Sequence, residues 1–165
     1  MTLFIGCDPG LTGAISLLKP GNILLDCQDL PTCENGTASG SMKRWLDAEG
    51  FSDLLQAWAD CHDFARESVH VFIERPIPMP SLPAQTIASQ FDTFGVLRSL
   101  LERRGVMHYV NPRDWKKAFG LGSEKGASRT VCQGLYRHAP VARVKDHNRA
   151  ESILIGHYGV REING

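Results

Sequence analysis

Two acids in this chain sit where solvation is a poor explanation for them. Asp8 ends the apolar run LFIGC and Glu74 ends the apolar run VFI. Each therefore stands at the end of a buried strand, where an uncompensated charge is costly. If the two strands are neighbours, their carboxylates converge on one edge of a sheet, and Glu151 on a C-terminal helix can supply a third. Oxygen-only donors of this kind select Mg²⁺ or Mn²⁺ over zinc. Two such ions about 4 Å apart activate a water and stabilise the leaving oxygen of a phosphodiester. The chemistry indicated is metal-dependent hydrolysis of a nucleic-acid backbone.

Around Glu151 the ligand set stays open, because Asp146, His147 and Asn148 all lie within five positions upstream. Residues four apart share a helix face and residues three apart nearly do, so His147 and Asn148 are placed better than Asp146. Asp146 still reaches if it is the N-cap, outside the regular turn. His147 is then a ligand, or a base that takes a proton from the attacking water. Arg113, Lys116, Lys117 and Lys125 surround the Gly-containing loop GLGSEKG and are candidate phosphate contacts.

The formal net charge is zero, but it is unevenly spread. Residues 1–97 hold five Lys/Arg and twelve Asp/Glu, whereas residues 98–165 hold thirteen and six. A basic C-terminal part beside an acidic cluster suits an enzyme that grips phosphates with cations while acids hold the metal.

These residues need a scaffold, and its elements are legible. Apolar runs at 3–7, 13–18 and 23–29, separated by Pro-Gly-type turns, predict an antiparallel three-strand meander. Residues 31–42 read as a loop. Phe51, Leu54, Leu55 and Trp58 predict a helix to about Cys61, and Val69–Ile73 a fourth strand. The stretch RPIPMPSLP reads as a rigid extended loop. Ile87, Phe91, Phe94, Leu97 and Leu101 mark a helix, and Val106–Val110 a fifth strand. A short helix starts at Pro112, another runs from about Ser128 to Arg137, and the last begins near Asp146. Trp115 reads as a core anchor, and Phe91, Phe94 and Tyr109 as packing or dimer contacts. The expected architecture is α/β: one mixed five-stranded sheet, opened by the meander, with helices on both faces and a single domain over 1–165.

Several classes are excluded. Hydrophobic content of 42% and charged content of 22% are those of a globular protein, not a disordered one. The apolar opening is broken by Asp8, Pro9 and Gly10 and lacks a basic leader, which predicts a cytosolic protein without a membrane partner. Five scattered cysteines without a CxxC pair argue against a disulfide framework and a zinc ribbon. The turn IGCDPGLTG loosely fits the phosphate-binding turn of actin-like kinases, but 165 residues are too few for their two lobes.

FIGCDPGLTGAIS resembles the first active-site strand of RuvC-type Holliday-junction resolvases. VFIERP resembles that family's second acidic motif and KDHNRAESILIGHYG its closing helix, while NPRDWKKAFGLGSEKG is similar to the segment carrying its basic residues. The resemblance covers nearly the whole chain. It implies a ribonuclease-H-like fold and a homodimer that cuts opposed strands of a four-way DNA junction with Mg²⁺, in recombination or repair. It implies metal-site roles for Asp8, Glu74 and Glu151, with Asp146 or His147 completing the set, and basic roles for Lys116 and Lys125. It also implies that the loop after Glu74 enters the junction, with Ile77 and Met79 as side chains that wedge between bases. Asn148 departs from the pattern, since the bacterial enzymes carry an acid three residues before the last one. The short C-terminal tail and the altered loop after Glu74 suggest a divergent, phage-like branch. Alternative readings are another ribonuclease-H-like nuclease acting on RNA–DNA hybrids, or a junction binder with weak catalysis.

Overall fold

The computed structural model describes residues 1–34, 44–62, 64–65, 68–122, 124 and 126–164. Lys125 lies outside the described residues. Strands β1 (Leu3–Asp8), β2 (Ala14–Lys19) and β3 (Ile23–Asp29) form the meander. A short hairpin follows, β4 (Thr32–Glu34) with β5 (Arg44–Leu46). Then come α1 (Ala48–His62), β6 (Val69–Glu74), α2 (Ala84–Leu101), β7 (Val106–Val110), α3 (Pro112–Ala118), α4 (Ala127–Leu135) and α5 (His147–Asn164).

The sheet order is β3-β2-β1-β6-β7. β1 runs antiparallel to β2 and parallel to β6, and β6 runs parallel to β7. The expected mixed five-stranded sheet with an antiparallel opening is therefore present. Period-two alternation sorts side chains between two apolar layers. Leu3, Ile5, Cys7, Ile15, Leu17, Val69, Val71 and Ile73 face Phe51, Leu55 and Trp58 of α1 and Leu97 and Leu101 of α2. Phe4, Leu18, Phe72 and Val110 face Trp115, Cys132, Ile153 and Leu154. Because both faces are covered, the central strands are apolar at nearly every position.

Two boundaries differ from the sequence reading. Thr32–Glu34 is a strand, not part of a loop: it pairs with Arg44–Leu46, and the Arg44 guanidinium donates to Thr32 Oγ1 at 2.9 Å and to its carbonyl at 2.8 Å. Those partners lie beyond the polar segment, so local composition hides the pairing. α4 ends at Leu135, not at Arg137, because the chain turns extended at Tyr136.

α5 lies against β1, β2 and β6, and two glycines permit it. A Cβ on Gly6 would stand 2.0 Å from the Ser152 carbonyl oxygen, and one on Gly156 would stand 2.4 Å from Leu18 Cδ1. Farther along α5, His157 is 4% exposed, with Nδ1 2.7 Å from the Tyr136 hydroxyl. Burial, with help from Arg161, pushes its pKa down to about 4. The folded state thus prefers neutral His157. Its stabilisation is complete above the unfolded pKa near 6.5 and is lost as pH falls toward 4, by at most about 1.4 kcal/mol per pH unit. The urea midpoint should therefore drop between pH 7 and 4.5, and the H157Q variant should flatten that slope. An equal slope in both proteins would remove His157 as the cause.

Candidate active site

Asp8 and Glu74 are brought together by strand register. β1 and β6 are adjacent and parallel with Cys7 opposite Ile73, so the next residue of each strand emerges at the same edge. Glu151, in the second turn of α5, and Lys116 of α3 both act on Asp8 through their charges. Lys116 Nζ lies 3.9 Å from Glu151 Oε2 and 5.1 Å from the Trp115 ring centre. Trp115 is fully buried, and its indole Nε1 donates to Glu74 Oε2 at 2.6 Å.

The acids feel one another. The Asp8 carboxyl is pushed well above the usual range, first by burial and then by the charges of Glu151 and Glu74, with Lys116 opposing. Glu74 is raised by burial and by Glu151, against the pull of the Trp115 hydrogen bond and Lys116. Three carboxylates repelling one another across a partly buried edge, with one cation beside them, form a donor set that a divalent cation would relieve. Among the described residues, no three His, Cys, Asp or Glu side chains are so placed that they could hold a metal ion together without moving. Glu74 leans on Trp115 and Glu151 lies near Lys116.

The remaining candidates divide. His147 is exposed and lines a cavity of about 680 Å³ together with Lys116, Glu151, Leu121, Val144 and Arg129. Arg113, Lys116, Lys117, Gly120 and Leu121 border a neighbouring open cleft. Ile77 and Met79 are 48% and 54% exposed on the loop after Glu74. Asp146, by contrast, is engaged elsewhere. It lies in a 3-10 turn (Val144–Asp146), where the Arg143 guanidinium donates to both of its oxygens, at 2.8 Å to Oδ1 and 3.1 Å to Oδ2, and the Arg143 backbone N–H donates to Oδ2 at 2.8 Å. These bonds hold its carboxyl down at about 2. The charges of Arg143 and Arg149 lower it further.

Two contacts were not foreseen. Trp115 anchors the core as expected, but its N–H also orients Glu74. A buried tryptophan needs an acceptor for that N–H, which was the available signal. Asn148 donates from Nδ2 to the carbonyl of Thr12, across the β1–β2 turn. Nothing in the local sequence links these two residues.

No family model matches the sequence, and no curated protein matches it. Solved structures do. The chain is similar to Thermus thermophilus RuvC in complex with a Holliday junction substrate, with a TM-score of 0.61 and 15% identity over 99% of this chain and 97% of that one. A second Thermus thermophilus RuvC structure gives a TM-score of 0.54 and 16% identity, covering 98% of this chain and 96% of the other. The fold is RuvC-like. The RuvC-like fold extends over nearly the full length of both chains. At this identity, likeness to RuvC fixes the path of the backbone and leaves the chemistry to be argued from side chains.

Proposed function

We propose that this protein is a structure-selective endodeoxyribonuclease that resolves four-way DNA junctions by symmetric, metal-dependent phosphodiester hydrolysis. The observation that carries the reading is the meeting of Asp8, Glu74 and Glu151, with Lys116 beside them, at one edge of a RuvC-like fold. The residues suited to hold Mg²⁺ or Mn²⁺ are Asp8, Glu74 and Glu151. Asp146 leaves that set because Arg143 occupies its carboxylate. Bound ions would supply Lewis-acid activation of a water and charge stabilisation on the leaving oxygen.

The chain's own side chains do the rest. Lys116, Arg113 and Lys117, with Lys125, hold backbone phosphates, and Trp115 keeps Glu74 oriented toward the cleft. In this reading His147, which lines the same cavity as Glu151, accepts a proton from the attacking water. Ile77 and Met79 are free to insert between bases, because their side chains are exposed on the loop that leaves the site. Two symmetric cuts need two such sites, so the active form in this reading is a homodimer. The 165 residues act as one nuclease domain. No helix among the described residues is long and apolar enough to cross a membrane.

The deciding experiment offers a synthetic four-way junction, a matched linear duplex and an RNA–DNA hybrid, with and without Mg²⁺ or Mn²⁺. Paired nicks in opposed strands of the junction, only with metal, are the expected result. Cutting of the hybrid instead would move the assignment to another ribonuclease-H-like nuclease. Tight junction binding without cutting would make the protein a binder.

A further inference from the structure

We infer that Asn148 is a positioning residue of the metal site and not a weakened ligand of it; this rests on the metal site of the preceding reading. Asn148 is in the first turn of α5, three residues before Glu151, and its Nδ2 donates to the Thr12 carbonyl. Thr12 belongs to the turn that leaves Asp8. That turn folds tightly on itself: Gly10 N–H donates to the Asp8 carbonyl at 3.2 Å and Gly13 N–H to the Gly10 carbonyl at 2.9 Å. A Cβ on Gly13 would stand 2.0 Å from the Asp8 carbonyl oxygen, so the turn has little room to take another shape. The tether therefore joins the backbone beside one acid to the helix that carries another.

Its neighbours act in the same direction. Arg149 grips Asp29 at the end of β3 through two bonds of 2.6 and 2.7 Å. Ser16 Oγ of β2 donates to the Ser152 carbonyl at 2.9 Å. Asn148, Arg149 and Ser152 flank Glu151 on both sides and tie each flank to the strand layer. Of the three, Asn148 alone reaches the turn that follows Asp8.

An acid at this position could not do the same work. A carboxylate has no hydrogen to offer the Thr12 carbonyl, and it would bring a fourth negative charge near a set in which Asp8 is already repelled by Glu74 and Glu151. The amide is the side chain of that size that donates and stays neutral. Residues that orient metal ligands without touching the metal typically contribute ten- to a hundredfold in affinity, which sets the scale of the expected effect at about tenfold.

The test measures Mn²⁺ binding by electron paramagnetic resonance, without nucleic acid, for the wild type, N148A and N148D at 10 °C, alongside each protein's thermal midpoint. Both variants should bind Mn²⁺ about tenfold more weakly than the wild type while remaining folded at the measuring temperature, with N148D no tighter than N148A despite its added charge. An N148D protein that binds Mn²⁺ as tightly as the wild type, or more tightly, would show a ligand position and overturn the inference. Unchanged Mn²⁺ affinity in both variants, with only the thermal midpoint lowered, would reduce Asn148 to a structural contact and also overturn it. A wild type that binds no Mn²⁺ overturns the metal site itself and this inference with it, so the wild-type and variant measurements separate the two failures.

Discussion

Replacing Glu74 with Gln should lower junction cutting on the order of a thousandfold, about 4 kcal/mol of transition-state stabilisation, and leave junction binding within a factor of about two. The substitution is nearly isosteric. Its carbonyl oxygen can still accept from Trp115 Nε1, which is now 2.6 Å from Glu74 Oε2, so the Trp115 side of the site has no reason to move. What is lost is one negative charge of three. That loss relieves the repulsion that now raises Asp8, so the apo protein is expected to be slightly more stable. It also removes a donor from the cation, which a neutral amide replaces poorly. In the proposed reading binding depends on cations such as Arg113, Lys116 and Lys117, which the substitution does not replace. Single-turnover cleavage and gel-shift titration on the same junction separate the two quantities. Retained cutting by E74Q would falsify the proposed metal site, and lost binding would show that Glu74 shapes the docking surface instead.

Gly6→Ala is expected to have the largest effect on the fold. The new Cβ would meet the Ser152 carbonyl oxygen at 2.0 Å and Gly156 N at 2.4 Å, both backbone atoms that cannot rotate away. α5 would have to lift from β1, opening the layer of Phe4, Leu18, Phe72, Ile153 and Leu154. A cost above about 4 kcal/mol follows, which is a large share of a domain's total stability. The thermal midpoint should fall by at least about 10 °C, or the protein should fail to accumulate in soluble form. Gly95→Ala is the matched control. Gly95 lies inside α2 with nothing within 4 Å of its added Cβ, so that change should be neutral or stabilise by up to about 1 kcal/mol. A G6A protein with the wild-type midpoint would mean that α5 does not seat on β1 as described.

The sheet was legible because its central strands are apolar on both faces, which leaves a clear run of hydrophobic residues ended by a charge. That same contrast exposed Asp8 and Glu74. Glu151 could be placed because it shares a helix with Ile153 and Leu154, whose burial fixes which way the helix turns. What stayed hidden were contacts between residues far apart in the chain. The ion pair that occupies Asp146 depends on Arg143 folding back in a 3-10 turn, which no hydrophobic period announces. Asn148 and Thr12 are 136 residues apart, and only the seating of α5 over the β1–β2 turn brings them into contact. The β4–β5 hairpin was missed for a related reason: its stabilising partner, Arg44, lies outside the window in which Thr32 is read.

The cysteines, set aside as unable to form a disulfide framework or a zinc ribbon, give the molecule a chemical handle. Cys7, Cys27 and Cys132 are buried in the sheet layers, and burial pushes the Cys27 and Cys132 thiols up to about 12. At pH 8 a thiol of that kind is ionised to only about one part in ten thousand, so it is nearly inert to maleimides. Cys33 and Cys61 are exposed, on β4 and on α1. α1 covers the face of the sheet opposite α5. With Cys33 replaced by Ser, a fluorophore at Cys61 would therefore ride on the side of the molecule away from Glu151 and Lys116, and the three buried cysteines could stay in place while it reports on DNA docking.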